Sequence, residues 1–183
     1  MSVSVLVVST TLSTGGAQRF TSTLLQHLDR GQFTPSLALL RPQIEYLLPD
    51  DVAVHHLNYR GVTTFFRATR NLREVIDREK PDIVLSNITA TNLIAGFALR
   101  SAQHRPRWIA RVGSNTLMHD GRVRLFLTRQ LYSRADGLVA NSQGLADELA
   151  SLYRISPSRI LVFGNTTDFG MIDRLAAETP AFS

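Results

Sequence analysis

Val3-Ser4-Val5-Leu6-Val7-Val8, and soon after it Ser13-Thr14-Gly15-Gly16-Ala17-Gln18-Arg19, is the passage whose reading decides the fold. The first run is short, β-branched and apolar, with no basic segment before it, so it reads as a buried strand and not as a signal peptide. Adjacent glycines follow, where a backbone can turn sharply and approach a ligand with no side chain in the way. Ala17, Phe20, Leu24, Leu25 and Leu28 then line one face of a helix. The result is a strand–turn–helix unit with its glycines at the turn.

The same alternation continues along the chain. Further strands are expected over 36–40, 52–57, 83–86, 108–112, 137–140 and 160–163. Phe65, Ala68, Leu72, Val75 and Ile76 repeat at helical spacing, and Pro81 marks the end of their helix. Residues 91–102 are apolar nearly all round and read as a helix buried against a sheet. A basic amphipathic helix spans 121–134, and Leu145, Ala146, Leu149, Leu152 and Tyr153 form another helical stripe. A short helix is expected over 44–48, stopped by Pro49, and a last one over 168–177. Parallel strands need such helical crossovers, and their near-continuous apolar character indicates burial on both faces. The expectation is an α/β, Rossmann-like, doubly wound and mostly parallel sheet of about seven strands, in three α/β/α layers. One such domain accounts for residues 1–183, with no repeat or low-complexity segment.

Composition narrows the function. The chain has 183 residues, 44% hydrophobic, and no cysteine, so it has neither a disulfide framework nor a thiolate nucleophile. Absence of cysteine fits a reducing cytoplasm. Twenty Lys+Arg against 15 Asp+Glu leave a net charge of +5, a modest excess that suits either phosphate-bearing ligands or an anionic membrane surface but is too small and too dispersed to argue for nucleic acid. No apolar stretch is long enough to span a bilayer. Arg122, Arg124 and Arg129 share a helix with Phe126 and Leu127, so a solvated face is the first reading and peripheral contact at the inner face of a membrane the second.

Ligands of open α/β sheets bind beyond the carboxyl ends of the strands. That rule shortlists the Gly15-Gly16 loop, Ser86-Asn87-Ile88-Thr89, Arg111-Val112-Gly113-Ser114-Asn115 and Asn141-Ser142. Hydroxyls and amides suit sugars, and Arg111 could grip a phosphate. The plainer alternative is that these residues shape turns and cap helices. The G-x-G-x-x-G fingerprint is absent, and Arg41-Pro42 stands at the end of the second strand where a nicotinamide site would have an acid. No G-K-[ST] Walker sequence occurs. His27, His55, His56, His104 and His119 show no metal-ligand spacing, so no metal site is expected. His119 is the one near the expected site. No triad or paired carboxylates stand out, and no catalytic residue is assigned.

Four segments in register resemble glycosyltransferases of family 4 with the GT-B fold. They are Thr14-Gly15-Gly16-Ala17-Gln18-Arg19, close to G-G-A-E-R; Pro81-Asp82-Ile83-Val84 before Ser86-Asn87; Ala135-Asp136-Gly137-Leu138-Val139-Ala140-Asn141-Ser142; and Arg159-Ile160-Leu161-Val162-Phe163-Gly164-Asn165-Thr166-Thr167-Asp168. The resemblance implies a retaining enzyme that moves a sugar from a nucleotide-sugar to a glycan or lipid-linked acceptor without an essential metal or other cofactor. It implies that this chain is the N-terminal, acceptor-binding domain, whose partner is a C-terminal, nucleotide-sugar-binding domain of the same polypeptide. Gly15, Gly16 and Arg19 would approach the donor's diphosphate or sugar. Asn87, Thr89, Arg111, Ser114, Asn115 and His119 would face the acceptor. Asn165 and Asp168 would belong to the interdomain hinge. The chain departs from the family where Gly113-Ser114-Asn115 replaces a histidine found in many members, and where the E-x7-E segment of the second domain is absent. The isolated domain is therefore expected to be inactive. A freestanding glycan-binding or regulatory module serving a separate catalytic subunit is the alternative.

Overall fold

The computed structural model describes residues 2–113 and 122–164. Its strands are β1 (Val3–Ser9), β2 (Phe33–Leu39), β3 (Ala53–His56), β4 (Ile83–Asn87), β5 (Arg107–Val112), β6 (Gly137–Ala140) and β7 (Ile160–Val162). The helices between them are α1 (Gly16–His27), α2 (Phe65–Glu79), α3 (Thr89–Ser101), α4 (Arg122–Tyr132) and α5 (Gln143–Tyr153). The strands form one sheet in the order β3-β2-β1-β4-β5-β6-β7, and every pairing is parallel. This is the expected doubly wound α/β architecture. Strand order reverses between β1 and β4, and that reversal opens a crevice beyond their carboxyl ends.

Side-chain alternation along β1 builds a core on each face of the sheet. Leu6 and Val8 join Leu72 and Ile76 of α2 and Ile94 and Ala98 of α3, all fully buried. Val5 and Val7 join Leu37, Leu39 and Leu25 of α1 on the other face. Each buried leucine or isoleucine contributes roughly 1.5–3 kcal/mol relative to exposure. A polar chain crosses the first core. The Trp108 indole donates to Ser86 Oγ (2.9 Å), Ser86 donates to Asn92 Oδ1 (2.6 Å), and Asn92 Nδ2 donates to Arg111 O (3.0 Å) and Tyr132 Oη (2.9 Å). Buried groups satisfied in this way specify one packing instead of weakening it.

Two local expectations are corrected. Residues 44–48 form no helix: Glu45 N and Tyr46 N both donate to Leu12 O (2.9 Å), and Ile44 makes a parallel bridge to Leu12. The segment crosses the end of β1 as an extended cover, so a long-range pairing displaces the local helical period. β2 also begins before Pro35, not after it. Proline is tolerated there because β3 pairs only from Ser36 onward, so no neighbouring strand asks for the missing N–H on that side. The α2 helix ends as expected, with Lys80 in the left-handed region (φ 48°) before Pro81. The helix expected over 168–177 lies outside the described residues.

Candidate functional site

At the carboxyl end of β1 the chain turns through Thr10–Gly15 before α1 begins. The turn is held by its own side chains. Ser9 Oγ donates to Thr11 O (2.9 Å), Ser13 Oγ to Thr11 Oγ1 (3.0 Å) and Gln18 Nε2 to Thr10 Oγ1 (2.8 Å). Gly15 sits at φ 120°, ψ 153°, a conformation essentially reserved for glycine. Gly15 and Gly16 are both exposed, and no side chain caps the start of α1. Its first amides therefore point into the crevice with a partial positive charge. Arg19 is exposed one turn along, its guanidinium 5.8 Å from the Tyr46 ring centroid.

Across the crevice, Ile88 links β4 to α3 at φ 74°, ψ 160°, a strained conformation for a β-branched residue. It is fixed from both sides: its N–H donates to Arg111 O (3.1 Å), and its carbonyl accepts from Asn92 N (2.9 Å). The bend leads into Thr89, half-buried at the first position of α3, and brings Ala90 to the edge of a cavity of about 550 Å³. Thr10, Thr14, Gln18, Arg41, Gln43 and Tyr59 complete much of its lining. It offers hydroxyls, amides and one guanidinium, which suit a polyhydroxylated ligand.

Asn87 and Arg111 are not on that lining. They are 2% and 1% exposed and form a brace behind the site. Arg111 Nη1 donates to Asn87 Oδ1 (3.0 Å), Asn87 Nδ2 donates to Ala17 O (2.7 Å), and the guanidinium stacks 4.0 Å above the Phe20 ring. Burial lowers the Arg111 pKa from its ordinary value. In this conformation the pair fastens the first turns of α1 to the ends of β4 and β5, and so fixes the glycine turn instead of reaching a ligand. Asn141 and Ser142 are likewise structural. Asn141 Nδ2 donates to Gly113 O (2.9 Å), and Ser142 Oγ caps α5 by accepting from Leu145 N (3.3 Å).

Of the sequence candidates, Gly15, Gly16 and Arg19 are exposed at the start of α1 and Thr89 is half-buried at the start of α3, just beyond β1 and β4, and none of the four is on the lining of that cavity. Ser114, Asn115, His119, Asn165 and Asp168 lie outside the described residues. Gln43, Tyr59 and Arg60 are not among the sequence candidates; their only signal is a place shortly after a strand. A further cavity of about 370 Å³, lined by Arg100, Arg105, Trp108, Arg134 and Asp136, lies at the opposite, amino-terminal edge of β5 and β6. Among the described residues no cluster of histidine, aspartate and glutamate could hold a metal ion, and no helix is long and apolar enough to cross a membrane.

The comparisons with known proteins bear on the fold and the family. In fold, the chain is similar to a glycosyltransferase from Rickettsia africae ESF-5, with a TM-score of 0.70 and 17% identity, over 98% of this chain and 47% of that one. It is similar to HepE from Anabaena in complex with UDP-glucose, with a TM-score of 0.69 and 13% identity, over 92% and 45% of the two chains. It is also similar to a UDP-N-acetylglucosamine 2-epimerase, with a TM-score of 0.61 and 18% identity, over 90% and 49%. The chain therefore spans about half the length of these structures, and at such identities the likeness is one of fold. No curated protein matches it. The model of Glycosyltransferase Family 4 matches residues 14–169, from the glycine turn to just past β7. On that match, which covers most of its length, the chain belongs to glycosyltransferase family 4.

Proposed function

We propose that this chain is the acceptor-binding, N-terminal domain of a retaining glycosyltransferase. The enzyme takes a sugar from a nucleotide-sugar and attaches it to a glycan or lipid-linked acceptor. The observation that carries the reading is the exposed Gly15-Gly16 turn beside a hydroxyl- and amide-lined cavity, at the switch point of the sheet. Exposed glycines and uncapped amides let a diphosphate or a sugar come within contact of the backbone. A second domain carried by the same polypeptide supplies the nucleotide site, and the crevice becomes a closed cleft when the two meet.

In this reading the chain's own residues bind and orient. Thr10, Thr14, Gln18 and Gln43 offer hydrogen bonds to acceptor hydroxyls, and the Asn87–Arg111 brace keeps the glycine turn in place. Positioning of two reactants in this way can supply several kcal/mol of a transfer barrier. The test is to incubate the full-length protein with a panel of nucleotide-sugars and with glycan and lipid-linked acceptors, and to read the anomeric configuration of the product by proton NMR. The reading expects transfer with retention of configuration. Inversion would reject the retaining mechanism, and epimerisation of the donor without transfer would reject the function.

A further inference from the structure

Beside the cavity at the glycine turn lies a second hollow of about 360 Å³, lined by Leu40, Arg41, Pro42, Gln43, Asn58, Tyr59 and Arg60. The two share Leu40, Arg41, Gln43 and Tyr59, so together they form one groove running from the glycine turn to Arg60. We propose that the Arg41–Arg60 end of this groove is an anion subsite, and that the acceptor carries a phosphate group on the part held there. The proposal rests on the acceptor-binding reading and adds the chemical class of the acceptor.

Three observations carry it. Arg41 stands two residues beyond the end of β2 and Arg60 four residues beyond the end of β3, on segments held by main-chain N–H bonds. Arg41 N donates to Thr10 O (2.8 Å), Tyr59 N to Leu40 O (2.8 Å) and Arg60 N to Thr64 Oγ1 (2.6 Å). Both side chains are exposed, and among the described residues neither guanidinium makes an ion pair or a hydrogen bond. Finally, Arg41 occupies the position at the end of the second strand where an acid would hydrogen-bond a ribose in a dinucleotide site. A cation there reverses the preference to an anion. Guanidiniums lining one hollow suit phosphate because each presents a planar fork of donors to its oxygens. Tyr59 and Gln43, which line both hollows, suit the sugar that joins the phosphate to the reacting hydroxyl.

A soluble sugar phosphate and a lipid-linked phosphate share this chemistry, and separate probes distinguish them. Glucose 6-phosphate against glucose, titrated into the chain by calorimetry, reports the soluble source. Phosphatidylcholine vesicles with or without a polyprenyl phosphate, read by co-sedimentation, report the lipid source. At least one phosphate-bearing probe should bind roughly tenfold tighter than its neutral counterpart. Arg41→Gln and Arg60→Gln should each remove most of that preference, and Arg60→Lys should keep part of it. Added salt should weaken binding by the wild type more than by the double variant. Both sites are exposed, and circular dichroism verifies that the variants stay folded. The subsite is overturned if no probe distinguishes phosphate from its absence, or if the double variant binds as the wild type does. These probes involve no donor, so their outcome is independent of whether sugar transfer is found. In a transferring enzyme the double variant should raise acceptor KM at nearly constant kcat, and an unchanged KM would overturn the subsite while leaving the function intact.

Discussion

Replacing Gly15 by alanine, alongside the same change at Gly16, separates what the fold needs from what a ligand needs. At φ 120°, ψ 153° an L-residue is strained by roughly 1–3 kcal/mol. A Cβ on Gly15 would also lie 2.6 Å from Gln18 Oε1. That atom is the far end of a flexible side chain, so it can give way, but only by leaving Thr10. Losing the Gln18–Thr10 hydrogen bond adds about 0.5–1.5 kcal/mol. Gly15→Ala should therefore destabilise the chain by about 2–4 kcal/mol, lowering Tm by roughly 5–15 °C in scanning calorimetry. Nothing lies within 4 Å of a Cβ built on Gly16, and its φ carries no penalty. Gly16→Ala should stay within about 0.5 kcal/mol of the wild type. Equal stability of the two variants, in either direction, would refute the assigned geometry of the turn.

Other expectations follow from the same contacts. Arg111→Met leaves Asn87 Oδ1 without its Arg111 donor and removes the stack on Phe20, while relieving the desolvation of a buried charge; a net loss of about 2–3 kcal/mol is expected in urea unfolding. Because the two residues share one brace, Arg111→Met and Asn87→Ala should be clearly non-additive in a double-mutant cycle, and simple additivity would contradict it. A Cβ on Gly96 would meet Trp108 Cη2 at 2.9 Å and Leu131 Cδ2 at 3.0 Å, so Gly96→Ala should cost about 1–3 kcal/mol by forcing α3 away from β5 and α4. His55 has its pKa held below 6.5, chiefly by burial, so the unfolded chain takes up the proton first as pH falls. The stability this residue contributes above that value is lost below it. The fall in urea midpoint between about pH 7.5 and pH 5.5 should be smaller in His55→Gln, and an equal fall would show that His55 is not its source.

Much of the fold was legible because each β-strand is short, apolar and separated from the next by a stretch of helical period. The glycine turn was legible too, since Gly15 and Gly16 follow directly on β1. Residues 44–48 were misread because their apolar spacing serves a bridge to Leu12, a pairing that no local window contains. Arg111 and Asn87 stand at strand ends, which suggested an acceptor-facing role. Their burial depends on Phe20 and Ala17, residues far off in sequence that only the crossover of α1 brings near. Asn92 left a signal that went unread: a single amide in a helix otherwise apolar all round is positioned to satisfy buried partners, as it does for Ser86, Arg111 and Tyr132. Tyr59 and Arg60 follow an edge strand, and nothing local marks them as lining one hollow with Arg41.

The central claim is that the exposed Gly15-Gly16 turn lies against the reacting groups of a sugar-transfer site. It is tested most directly by measuring sugar transfer in the full-length protein and in its Gly16→Trp variant, with both confirmed folded by calorimetry. The account predicts that transfer is abolished while Tm changes by no more than about 2 °C, because the indole fills the approach to the turn without touching the core. Wild-type turnover in a folded Gly16→Trp protein would contradict it.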